Sequence, residues 1–208
     1  MAEFNDIKHY IISGNDKKAL IEITLNLISI TEELIDKYIK NIDEKNLISS
    51  QILELINEVI KNNRSSDKHI IKIYDILSKL ITKDDVENGR KVARLLELFT
   101  GILNPNDDNY TNIFLLNALY IRKLTLGEND IDTIYTYYNL GKVSKNLKKY
   151  NDALQYFEIC LKNEEYLIQK NTRSDIYEKM SSVYKKIGNK EKELEFAQKH
   201  FNYILHGI

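Results

Sequence analysis

The chain has 208 residues, 43% of them apolar and 29% charged, and a net charge of −1, a balance that permits a sizeable core and excludes the basic excess of a nucleic-acid surface. Seven glycines and one proline leave little turn chemistry for strand hairpins, which excludes a β-rich fold and predicts an all-α class of long helices with short links. The single cysteine, Cys160, excludes an internal disulfide.

Charge is also even along the chain. Residues 1–90 carry 13 basic and 16 acidic side chains and residues 91–208 carry 17 and 15, so neither half expects nucleic acid as a partner. No apolar leader and no run of about 18 apolar residues appears, so the expected setting is reduced and cytoplasmic, away from membranes.

In chain order, the stretch around Ile7 to Ile12 reads as a short helix ended by Gly14, with Asn15 or Asp16 capping the next one. From Asp16 to Ile42, apolar residues at Leu20, Ile23, Leu27, Ile30, Leu34, Ile35, Tyr38 and Ile42 recur at three- and four-residue steps, the period of one helix face. Asp43 is positioned to cap a further helix bearing Leu47, Ile48, Ile52, Leu55, Ile56, Val59 and Ile60, closed by the polar run from Lys61 to Asp67. Asp67 then opens a helix to Ile81 with Ile70, Ile71, Tyr74, Leu77 and Leu80 inward. These helices predict an antiparallel bundle over residues 1–85.

Beyond Asp84 the helices shorten and tyrosines cluster. Turn signals fall at Asn104–Asp108, Leu126–Asp132, Leu147–Asp152 and Lys186–Lys190, spaced as a series of helix hairpins with one unmarked link requires. The boundary is expected between Thr82 and Gly89, with residues 86–208 forming about three hairpins. Helices are expected over Asp132–Leu147 and Asn151 to about Gln169. Gly141 lies inside the first of them, where glycine costs about 1 kcal/mol relative to alanine. Gly141 and Ala153 are therefore expected where two antiparallel helices come closest, with Phe157 filling the gap beside them.

Tyr137, Leu140, Gly141, Ala153 and Phe157 resemble the tetratricopeptide repeat pattern of aromatic, Leu-Gly, then Ala and Phe. Ser144 stands where that pattern has a tyrosine, and Glu165 replaces its closing proline. The stretch from Ala118 to Gly141 is similar to the longer repeats of kinesin light chains, and Ala118 to its counterpart Cys160 spans 42 residues. Tyr177, Met180, Ser181, Tyr184 and Gly188 begin a following copy, with Leu194, Phe196 and Ala197 in its second helix. Leu95, Leu98, Phe99 and Ile102, then Thr111, Leu115 and Ala118, form a degenerate earlier copy. The resemblance implies a short superhelix with a concave groove, and the helix from Lys190 to His206, apolar on the side of Leu194, Ala197, Phe201 and Ile204, suits a cap.

No chemistry of an enzyme is legible. The four histidines are scattered, no phosphate-cradling glycine motif occurs, and acidic pairs such as Glu32-Glu33 and Asp84-Asp85 are sequence neighbours that diverge, so no catalytic, metal or cofactor site is expected. Cys160 falls at a small-residue packing position and reads as structural. The resemblance implies instead that Asn139 faces the groove, its amide offering both donor and acceptor to a peptide backbone, with Tyr135, Lys142 and Lys179 as neighbours. The positions of the chaperone-tail carboxylate clamp hold Leu96, Thr100, Asp175 and Lys179, which disfavours that clamp.

The expected function is non-catalytic binding of a protein or peptide partner, with self-association left open. The alternative is a peptide-responsive regulator, or an adaptor whose first helices engage an effector; Tyr10–Ile23 is weakly similar to effector-associated adaptor helices.

Overall fold

The computed structural model describes residues 4–41, 43, 44, 47, 66–101, 108–163 and 170–206. Most of the helix expected over Asp43–Ile60, and the turn at Asn104, lie outside them. The described elements are α1 (Phe4–Ile12), α2 (Asp16–Tyr38), α3 (Ser66–Leu80), α4 (Val86–Thr100), α5 (Asp108–Thr125), α6 (Ile131–Asn146), α7 (Tyr150–Lys162), α8 (Lys170–Ile187) and α9 (Lys190–His206). The all-α expectation holds, with no strand among the described residues.

Local chemistry sets the helix ends. Gly14 at φ +73° lets the chain leave α1, and Asn15 caps α2 by accepting from the Lys18 N–H at 3.4 Å. Asp130 accepts from the Asp132 N–H at 2.9 Å at the start of α6. Gly188, at φ +79°, turns α8 into α9. Between α6 and α7 the left-handed position is taken by Lys148 at φ 60°, a conformation that costs a side chain more than it costs glycine.

Two compact units result, residues 1–126 and residues 127–208. The sequence expectation put the division near residue 85. It falls later because the α4–α5 hairpin shares the core of the preceding helices: Ile23, Leu27 and Leu34 of α2, Leu77 of α3, Val92, Leu95 and Leu96 of α4, and Phe114 of α5 form one buried cluster. Each such side chain contributes about 1.5–3 kcal/mol through burial. Phe99 meets Phe114 edge to face, with ring centroids 4.7 Å apart. The Arg122 guanidinium donates twice to the Glu97 carboxylate, at 2.5 and 3.1 Å, joining α5 to α4. Asp85, whose side chain is 1% exposed, accepts from Lys37, Tyr38 and Thr82 and fastens the end of α2 to the turn before α4.

In the second unit α6 pairs with α7, α8 with α9, and α7 and α8 lie side by side. Gly141, Ala153, Phe157 and Cys160 are buried between α6 and α7. Ser181 on α8 donates to the Glu193 carbonyl of α9 at 3.0 Å, so these helices also approach closely.

The last helix differs from the expectation of a cap that packs through the side of Leu194, Ala197, Phe201 and Ile204. Phe196 is its buried residue, stacked on Tyr184 with centroids 5.5 Å apart, whereas Leu194, Phe201 and Ile204 are 58%, 55% and 63% exposed. The ring that fits between Tyr177 and Tyr184 sets the rotation of α9, and the stripe of Leu194, Phe201 and Ile204 follows it outward.

Candidate functional site

The face of α6 that packs inward carries Ile134, Tyr137, Leu140, Gly141 and Ser144. A second stripe of the same helix, at steps of three and four residues, carries Tyr135, Tyr138, Asn139 and Lys142, all half-buried. Helix α8 lies against α6 and adds Asp175 and Lys179, one turn apart.

Four of these side chains form a connected cluster. The Tyr138 hydroxyl donates to Asp175 Oδ2 at 2.5 Å, and Lys179 Nζ donates to Asp175 Oδ1 at 2.7 Å. The Lys142 ammonium stands over the Tyr138 ring, 4.6 Å from its centroid. Burial alone would raise the Asp175 carboxyl, but hydrogen bonds from Lys179 and Tyr138 outweigh it and hold the group below the ordinary aspartate value. Burial, and then the bond to Asp175, push the Tyr138 phenol up. Burial and the nearby Lys179 charge both push Lys142 down, against a smaller opposing pull from Asp175.

Of the residues expected from the sequence, Lys142 and Lys179 are brought together around Asp175. Asn139 and Tyr135 lie on the stripe beside Lys142, and the Asn139 amide makes no side-chain hydrogen bond to another described residue. Tyr138 and Asp175 were not among the expected site residues. Their signal was the i, i+4 spacing of Tyr138 with Lys142 and of Asp175 with Lys179, but the contact joining the two pairs spans 37 residues and leaves no local pattern.

Cys160 is fully buried, its thiol pushed up to about 12 by burial, and it donates weakly to the Ile134 carbonyl at 3.5 Å. Among the described residues no group of three or more His, Cys, Asp or Glu side chains is placed to hold a metal ion, and no helix is long and apolar enough to cross a membrane. A hollow beside the α6–α7 turn is lined by Lys148, Lys149, Tyr150, Asn151, Asp152 and Ile187.

Paired antiparallel helices repeated along the chain, one pair closed by Gly141 against Phe157, define a helical-hairpin repeat protein of tetratricopeptide-like fold. The chain is similar in structure to the tetratricopeptide-like repeats of a protein described as a kinesin light chain from Podosopora anserina. The TM-score is 0.52 at 11% identity, covering 99% of this chain and 95% of that one. No protein-family model and no curated protein sequence matches the chain.

Proposed function

We propose that the stripe shared by α6 and α8 is the docking surface of a non-catalytic module that recognises a protein or peptide partner, with Tyr135, Asn139, Lys142 and Lys179 as contact residues. The observation that carries this reading is Asn139. Its amide is half-buried beside an ordered ion-pair cluster, yet its donor and acceptor are unused within the described fold, so a partner backbone can take both. A protein partner is favoured over nucleic acid because the chain has no basic excess, and the buried, unreactive Cys160 suits a reducing cytoplasm.

Peptides selected from a random display library provide the test. Selected peptides should lose about tenfold in affinity for the Asn139→Ala/Lys179→Ala double variant, a loss of about 1.4 kcal/mol, with helicity by circular dichroism unchanged. Equal affinity for both proteins rejects the surface.

A further inference from the structure

On the reading that this stripe receives a peptide, its charges can be counted. Lys142 and Lys179 supply two ammoniums and Asp175 one carboxylate. Both oxygens of that carboxylate are committed, Oδ1 to Lys179 and Oδ2 to the Tyr138 hydroxyl. Lys142 makes no ion pair with a described residue; its ammonium lies against the Tyr138 ring face. Donating to Asp175 enriches that ring in electron density and strengthens its hold on the ammonium, but a ring face does not neutralise a charge. One half-buried positive charge is left over, and the pull of Asp175 and the ring face return only part of its desolvation free energy.

We infer that the partner supplies one carboxylate, from an Asp or Glu side chain, that seats on the Lys142 ammonium beside the Tyr138 ring. Asp175 sets the count. Held ionised by Lys179 and Tyr138, it leaves a surplus of a single charge, which matches a monoanionic carboxylate and repels the second charge of a phosphate. Lys142 also lies outside the clamp positions, where Leu96 is buried in the core of the first unit. The carboxylate is therefore held by one lysine and one ring face.

The same display selection, run in parallel on the native chain and on Lys142→Gln, separates this inference from the reading beneath it. Peptides selected by the native chain should share one acidic position that is missing from the Lys142→Gln pool. Replacing that acid by its amide should weaken binding to the native chain about tenfold and leave binding to Lys142→Gln unchanged. With synthetic peptides, amidating the C-terminus should change nothing; a loss there assigns the carboxylate to the chain end and overturns the side-chain assignment. Selected peptides without a shared acid, or an equal loss on both proteins, overturn the inference and leave peptide recognition standing. Failure to select any peptide removes peptide recognition and the inference with it. A second variant guards against misfolding of the first: Asp175→Asn releases Lys179 and removes the negative charge near Lys142, so the acidic peptide should bind it several-fold tighter, and unchanged or weaker binding also overturns the inference.

Discussion

The ring of Phe157 fills the volume that a methyl group on residue 141 would need. A Cβ built on Gly141 would lie 2.5 Å from Phe157 Cε1 and 2.8 Å from Cδ1, and Phe157 is fully buried. The sequence pointed to Ala153 as the close neighbour, with Phe157 beside it, whereas the three atoms nearest the missing methyl all belong to Phe157. Burying a phenylalanine contributes up to about 3 kcal/mol, which offsets the roughly 1 kcal/mol that a glycine costs inside a helix.

Gly141→Ala should therefore destabilise the chain by about 1–2 kcal/mol despite alanine's better helix propensity, because a buried ring cannot yield as a flexible side chain would. Combining it with Phe157→Leu, which shortens the obstacle, should cost less than the sum of the two single changes. Urea unfolding of the four proteins reads this directly. A Gly141→Ala protein more stable than the native chain would show that the ring has room to move.

How much of this was legible in advance depends on the range of the interaction. Leu140, Gly141, Ala153 and Phe157 form one hairpin within 18 residues, so their spacing carried the packing. The same hairpin logic survives where the residues change. Forty residues on, Ser181 replaces Gly141 and Glu193 replaces Ala153, and the close approach is kept by a hydrogen bond from the Ser181 hydroxyl to the Glu193 carbonyl. Forty-two residues back, Phe99 stands in place of Gly141 and Leu115 in place of Phe157, so the bulky ring moves to the first helix, and both are buried. The unit boundary was hidden because Val92 and Leu95 look the same on a hairpin that stands alone as on one that joins an earlier core. The Tyr138–Asp175 bond was hidden because each partner sits on a separate helix with an unremarkable local sequence.

Asp85 should dominate the acid sensitivity of the first unit. Burial alone would raise its carboxyl, but hydrogen bonds from Lys37, Thr82 and Tyr38 hold it below the usual 3.8. A carboxyl depressed by folding contributes stability that is present above the unfolded value and lost as pH falls through the folded one. Asp85→Asn should be destabilised by about 2–3 kcal/mol at neutral pH, since it removes the charge opposite Lys37 and leaves polar groups of the turn poorly matched. It should also lose much of the native chain's decline in stability as pH falls below about 4. Parallel declines for the two proteins would show that other carboxylates carry the acid response.

The outward stripe of α9 should be replaceable without loss of stability. Leu194, Phe201 and Ile204 are each more than half exposed, so Leu194→Gln, Phe201→Gln and Ile204→Lys together should stay within about 0.5 kcal/mol per site of the native chain. Removing such a patch should also delay precipitation at high protein concentration. Phe196→Ala is the contrasting change: that ring is buried against Tyr177 and Tyr184, and its loss should cost about 3 kcal/mol. Thermal melts that rank the two variants the other way round would mean that α9 is rotated about its axis from the orientation described.

Lys142 offers a test that separates a binding residue from a structural one. Folding lowers its pKa below the ordinary 10.5, burial being the main cause and the Lys179 charge the next. A lysine depressed in this way penalises the folded state at every pH where both states are protonated, and the penalty lifts as pH rises from the folded pKa towards the unfolded one. Lys142→Met keeps the aliphatic stem and removes the charge. It should be as stable as the native chain at neutral pH, or more stable by roughly 0.5 kcal/mol, while losing the acidic peptide. In chemical denaturation at stepped alkaline pH, the native chain should then gain on Lys142→Met as that window is crossed. A variant that is clearly less stable at neutral pH, or a gap that widens as the solution becomes more alkaline, would assign Lys142 to holding α6 and α8 together instead of waiting for a partner's carboxylate.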